Sequence, residues 1–202
     1  MGIGLAVFQQ VTGINAVIYY APQIFEAAGF TSDLIALAAT MGIGVINVLA
    51  TFIAIWLVDR EGRKPLLIAG VAGMVATLVV LGLAFQGGTA GTGAGSIGYI
   101  TVVCLAAYIV FFAFSLGPIV WLMISEIYPL RNRAQAMAVS TAANWGANFL
   151  VSMSFPIMTN QLGSSATFFT YAGLGVLTLL FVIAKVPETK GKTLEEISKL
   201  WR

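Results

Sequence analysis

Gln9, Gln10 and Asn15 stand inside an otherwise apolar, helix-length run, in the segment QQVTGINAVIYY of a 202-residue chain. An amide taken from water without a partner costs roughly 2 to 7 kcal/mol. Three of them in one apolar helix therefore call for an internal hydrogen-bond network or for a polar cavity that takes a ligand. Asn47 lies in a second apolar run, and Asn144, Trp145 and Asn148 in a later one, with Asn144 and Asn148 on one face at i, i+4. Carboxamides carry donors and acceptors, and tryptophans offer flat apolar faces, a combination suited to the hydroxyls and C–H faces of a neutral polyol. The competing reading of each Asn is helix-to-helix hydrogen bonding, worth about 0.6 kcal/mol on average. Catalysis has no parts to work with. There is no histidine and a single cysteine, Cys104, so no zinc constellation, intrachain disulfide or midplane acid–base pair is expected, and no cofactor.

The elements that must position these groups follow from composition. Of all residues, 59% are hydrophobic and 9% charged, against about 25% charged in an ordinary soluble domain, and the mean hydropathy is +0.95. Crossing a bilayer takes about 20 apolar residues, and six such runs are present, at about 2–28, 34–58, 65–86, 97–125, 134–159 and 165–186. The expected fold class is an all-α membrane protein with six transmembrane helices. Residues 1–186 form the six-span bundle, and 187–202 a short cytoplasmic tail helix. In that tail Thr193 and Glu196 have capping-box spacing, and Leu194, Ile197, Leu200 and Trp201 make a stripe suited to lying on lipid. The stretch from Gln86 to Gly98 reads as an outer linker. Its Gly93, Gly95 and Gly98 match a dinucleotide pattern that lacks the required strand and acidic residue.

All ten basic residues fall on one side of these runs, at Arg60, Arg63, Lys64, Arg131, Arg133, Lys185, Lys190, Lys192, Lys199 and Arg202. The opposite loops hold only Glu26 and Asp33. Such an asymmetry orients a multi-pass protein with both termini in the cytoplasm. Charges that flank spans and never form a stripe give no nucleic-acid partner. No basic stretch precedes the first run, so it is not read as a signal peptide. The chain's start within a span reads as a fragment or half-molecule.

On an ideal helix at about 100° per residue, Gln10 and Asn15 point about 140° apart, so a straight helix cannot aim all three amides inward. Unwinding at Gly13 would re-aim Asn15, as in the broken helices of transporter sites, and a break is predicted there. Gly117 and Pro118, just before Trp121, predict a kink that can serve as a hinge. Trp121 lies about a turn beyond it, placed to stack on a ring. Glu126 at membrane depth wants a cation, and a cytoplasmic cluster of Asp59, Arg63, Glu126 and Arg133 is expected, formed when the inner side is closed.

Five segments in order, QQVTGINAVIYY, DREGRK (Asp59 to Lys64), GPIVWLMISEIYPLRNR (Gly117 to Arg133), NWGAN (Asn144 to Asn148) and PETKG (Pro187 to Gly191), resemble the C-terminal half of the sugar porters of the major facilitator superfamily. Bacterial galactose, arabinose and xylose proton symporters are nearest in look. The resemblance implies half of a twelve-helix fold in a bacterial plasma (inner) membrane, with an N-terminal six-helix half and membrane lipid as partners. It implies that Gln9, Gln10, Asn15, Asn47, Trp121 and Asn144 contact a monosaccharide, with Trp145 and Asn148 nearby. Tyr19 and Tyr20 would be outer-gate residues. Arg60 and Glu188 join the cytoplasmic cluster through their motifs, and such charges stabilise the outward-open state in the family. Some members carry a glutamate where Ala113 stands, and the proton-accepting carboxylate belongs to the other half. Alternating access with a proton as coupling ion is expected, although these residues do not separate symport from facilitated diffusion. The alternatives are a non-transporting sugar sensor, which would usually add a long tail, and a structural six-helix protein.

Overall fold

Long apolar runs with few helix breakers have one way to satisfy their backbone away from water, by closing hydrogen bonds within each segment. The computed structural model describes residues 1–30, 32–86 and 94–191, and every regular element among them is helical. In order these are α1 (Gly2–Val11), α2 (Ile14–Tyr19), α3 (Ala21–Ala27), α4 (Asp33–Glu61), α5 (Arg63–Gln86), α6 (Ala94–Ala113), α7 (Leu116–Ile127) and α8 (Arg133–Lys185), with a 3₁₀ turn at Leu130–Asn132 before α8. At 53 residues, a straight α8 would run about 80 Å, more than twice the hydrocarbon thickness. It does not run straight. Gly163 has φ 82° and ψ 163°, a region open essentially to glycine alone, and it divides α8 into limbs 133–162 and 164–185. With α1–α2 and α6–α7 each forming one broken span, six crossings result.

Two expectations change in detail. The kink near Pro118 falls earlier, at Phe114–Ser115, where Ser115 has φ −124° and ψ −97°. A proline lacks the N–H and presses on the carbonyl four residues back. Pro118 therefore sits in the first turn of α7, where the N–H groups have no helical partner in any case. In the tail, residues 187–189 are not helical and 190–191 form a turn. The expected tail helix with Thr193 and Glu196 lies outside the described residues, as does most of the glycine-rich linker.

Packing follows side-chain size. α5 lies between α6 and α8, burying Leu67, Val71, Met74, Leu78 and Leu81. At Gly70 a Cβ would stand 2.1 Å from the Ser115 Oγ, so only glycine permits this approach of helices. α4 turns much of its apolar surface outward, with Met41 67% and Phe52 68% exposed, as suits contact with lipid or another helical bundle.

Candidate functional site

The site begins at a backbone defect. α1 ends at Val11, Gly13 takes φ 91°, ψ 12°, and α2 starts at Ile14. Left-handed geometry of this kind is cheap for glycine and costly for other residues. The polar groups released by the break are taken up locally. The Thr12 hydroxyl donates to the Gln9 carbonyl at 2.8 Å, and the Tyr108 hydroxyl, from the last third of α6, donates to the Thr12 carbonyl at 2.8 Å. Tyr108 is fully buried. Sequence reasoning missed it, and its one signal is a phenol in a run that otherwise has little polar character. Tyr108→Phe is expected to leave the Thr12 carbonyl unsatisfied, costing about 1–3 kcal/mol, and to loosen α2. Faster hydrogen exchange at residues 13–18 would register it, while unchanged exchange would contradict the role.

Beside the break, the amides form a directed chain. The Gln9 Nε2 donates to the Leu116 carbonyl at 2.8 Å, and the Asn144 Nδ2 donates to the Ala6 carbonyl at 2.8 Å. Backbone carbonyls only accept, so these two contacts fix which end of each amide is nitrogen. The rest follows. Asn144 Nδ2 donates its other hydrogen to Gln9 Oε1 (2.7 Å), Gln10 Nε2 donates to Asn144 Oδ1 (3.1 Å), and Asn15 Nδ2 donates to Gln10 Oε1 (2.7 Å). Gln9, Gln10 and Asn144 are buried and Asn15 is half-buried. Unused capacity is concentrated at the Asn15 end, which keeps an N–H and its carbonyl oxygen. Asn144 lies eleven residues past Arg133, about 16 Å along the axis and so near the middle of a hydrocarbon layer about 30 Å thick.

The other expected site residues are distributed around this chain. Asn148, buried, accepts from the Ser152 hydroxyl at 2.9 Å. Trp121 and Trp145 stand on the bundle surface, 40% and 62% exposed. Asn47 is half-buried, and its side chain makes no hydrogen bond among the described residues, so the structure does not join it to the other amides. Tyr19 is exposed. The Tyr20 hydroxyl donates to the Ser152 carbonyl at 3.1 Å. Pro156, four residues on, has no N–H for that carbonyl, so Tyr20 supplies what the proline withholds. Its ring stacks on Phe155 at 5.1 Å. Gly117 and Pro118 lie in the first turn of α7, where the Gly117 carbonyl is 3.4 Å from Gln9 Nε2.

At the basic end of the bundle the expected charge cluster forms in part. Arg63 pairs with Glu126 at 3.2 Å, and the other Glu126 oxygen accepts from the Thr189 hydroxyl at 2.8 Å. Arg133 does not join. Its Nε donates to the Tyr128 carbonyl at 3.2 Å, because the chain turns at Pro129 and brings that acceptor back over the start of α8. Arg60 lies over the Trp56 ring at 4.0 Å, and the Asp59 side chain lies outside the described residues. Glu188 caps α5, accepting from the Arg63 and Lys64 backbone N–H groups at 3.1 and 2.9 Å, at the positive end of the helix dipole.

Burial alone would raise the Glu188 pKa, but backbone N–H donors from Lys190, Arg63, Lys64 and Thr189 hold it below the ordinary carboxylate value. A lowered folded-state pKa means the cap is fully present above the ordinary carboxylate range and lost only as pH falls through the depressed value. Hydrogen exchange at Arg63 and Lys64 should stay slow down to that acid limb in the wild type. In Glu188→Ala both amides should be unprotected at every pH, and equal protection in the variant would contradict the cap.

Set against known proteins, the profile described as "Sugar (and other) transporter" matches residues 1–201. The chain belongs to this family. Among the relatives it shares with that family, the galactose-proton symporter of Escherichia coli K12 is 46% identical over 199 residues, covering 98% of this chain and 42% of the symporter. The D-xylose-proton symporter of the same strain is 42% identical over 207 residues, covering 100% of this chain and 40% of the relative. The major myo-inositol transporter of Bacillus subtilis is 39% identical over 205 residues, covering 100% and 42%. A solved structure of the proton:xylose symporter XylE bound to 6-bromo-6-deoxy-D-glucose matches with TM-score 0.87 and 41% identity, over 100% of this chain and 42% of that one. The inward open conformation of XylE from E. coli gives 0.85 and 40%, over 100% and 41%. This sugar transporter family member thus has the fold of one half of a major facilitator transporter, and it spans about 42% of the length of such relatives.

Proposed function

We propose that this bundle is the C-terminal half of a monosaccharide carrier that works by alternating access, with sugar taken up together with a proton. The observation that carries the reading is the directed amide chain from Asn15 to the Leu116 carbonyl, held at mid-depth in an apolar bundle. Each buried polar group there is already satisfied by a neighbouring amide. A sugar hydroxyl, both donor and acceptor, can replace such bonds one for one, so binding exchanges like for like and stays weak enough for release. Gln9, Gln10, Asn15 and Asn144 supply the hydroxyl contacts, with Asn47, Trp145 and Asn148 at the edges. Trp121, exposed on this half, offers its ring to a sugar lying between the two halves.

The partner is an N-terminal six-helix half carrying the second wall and the proton-accepting carboxylate. Rocking of the halves about the site moves it from one side to the other. Tyr19 and Tyr20 serve as outer-gate residues, the Phe114–Ser115 kink just before Gly117 and Pro118 as a hinge, and the Arg63–Glu126 pair as part of an inner latch that Asp59, Arg60, Arg133 and Glu188 support. The one-sided placement of basic residues supports both termini in the cytoplasm, and the likeness to Escherichia coli symporters supports residence in a bacterial inner membrane. The reading is one of transport without chemical conversion.

Uptake of a panel of hexoses and pentoses by the complete transporter in vesicles, with and without an imposed pH gradient, tests this. Accumulation driven by an inward proton gradient is expected. Counterflow without accumulation would replace symport by facilitated diffusion, and binding without counterflow would make the protein a sensor.

A further inference from the structure

The first limb of α8 carries polar or helix-breaking residues at every fourth position from the amide chain outward, namely Asn144, Asn148, Ser152, Pro156 and Asn160. Residues spaced i, i+4 form one continuous row on a helix. Its inner end is the amide chain. Its middle is the Ser152 carbonyl held by Tyr20. Its outer end opens into a cavity of about 430 Å³, lined by Tyr20, Gln23, Phe155, Asn160, Ser164 and Phe168 among others. This cavity lies where α3, the end of the first limb of α8 and the start of the second limb meet, away from the basic loops. Asn144 and Asn160 are sixteen residues apart, about 24 Å along a helix axis, so the two ends of the row are separate places.

The chemistry of the wall selects a guest. No charged side chain lines the cavity, so an ion would find no counter-charge there. The side chains of Gln23, Asn160 and Ser164 make no hydrogen bond to other described residues, so an acyl chain would strip water from two amides and a hydroxyl and give nothing back. Phe155 and Phe168 are buried, with Tyr20 stacked on Phe155, which supplies apolar faces beside the free donors and acceptors. The volume falls within the range of small-molecule sites. We propose that this cavity is a second, outer site for a neutral polyhydroxylated molecule, occupied separately from the amide chain and next to Tyr20. It rests on the reading of the protein as a sugar carrier, and extends it to a molecule that can hold two sugars at once.

The test uses the full-length transporter in detergent, titrated by equilibrium dialysis with D-galactose, D-xylose and myo-inositol. Two classes of site are expected for at least one of them. Gln23→Leu combined with Asn160→Leu, both at exposed positions, should weaken the second class about tenfold through two lost hydrogen bonds while leaving the first class and the melting temperature unchanged. Asn15→Ala should do the reverse. A single class that Asn15→Ala removes and the double variant leaves alone overturns the outer site and keeps the carrier. A single class that the double variant removes and Asn15→Ala leaves alone keeps the outer site and overturns the midplane reading. Two classes that both ignore the double variant overturn the outer site, and binding of none of the three probes overturns both proposals.

Discussion

Asn144→Ala in the complete transporter should abolish measurable sugar binding and lower the stability of the bundle by about 3 kcal/mol or more. Asn144 is the junction of the amide chain. It accepts from Gln10 and donates to both the Gln9 side chain and the Ala6 carbonyl. Truncation orphans two buried groups at once, the Gln9 Oε1 and the Gln10 Nε2, and takes a second donor from the Ala6 carbonyl, in a place where each orphaned group costs about 1–3 kcal/mol, and water entering the vacated space recovers only part of that. A loss of that size in the arrangement presented to sugar corresponds to more than about a hundredfold in affinity. Melting in detergent and equilibrium binding measure the two effects.

Asn144→Asp sharpens the test, because it keeps the shape and exchanges a nitrogen for an oxygen. Ionised, the new side chain faces the Ala6 carbonyl and the Gln9 Oε1 with an acceptor where both need a donor. It should be nearly as damaging as alanine at neutral pH. Wild-type stability and binding in Asn144→Asp would show that the direction assigned to the chain is wrong.

The second large effect is expected at Gly13. A valine there must adopt φ near +91°, which costs roughly 1–2 kcal/mol for an L-residue and more for a β-branched one. Its Cβ also arrives 2.8 Å from the Tyr171 Cδ1. That ring is buried and packed against Phe155, so it has little room to retreat, and overpacking adds about 1–3 kcal/mol. Both penalties act on the one residue that turns α2 relative to α1. Gly13→Val should therefore either fail to yield monodisperse protein or yield protein that has lost sugar binding, with Gly13→Ala displaced in the same direction by less. Retention of wild-type affinity in Gly13→Val would mean the break does not set the aim of Asn15.

The break itself was legible in advance, because an angle of about 140° between Gln10 and Asn15 on a straight helix is incompatible with both serving one site. Run length and composition likewise announce a helical membrane bundle. The kink before α7 was legible only in kind. Proline dictates that a helix be interrupted on its N-terminal side, but not whether it occupies the kink or the first turn of the next helix; here the kink falls at Ser115, which lies against Gly70. The inner charge cluster was read from depth and from loops that share one side of the spans, and the structure pairs Arg63 with Glu126. That reasoning does not see backbone acceptors, and Arg133 went to one, the Tyr128 carbonyl. Tyr108 was invisible for the same reason, since its partner is a carbonyl freed by a break 96 positions away.

Chain composition, the lengths of the apolar runs and the one-sided basic residues sufficed to determine a six-crossing bundle with carboxamides at mid-depth. These are local quantities, and each segment expresses them whatever its neighbours do. Which way the carboxamides point was decided by the tertiary structure alone. An amide is a donor at one end and an acceptor at the other, with nothing in its own segment to choose between them. Here the choice is made by two carbonyls, Leu116 and Ala6, lying 107 and 138 positions from the side chains they orient, and it passes from them through Gln9 and Asn144 to the free end at Asn15.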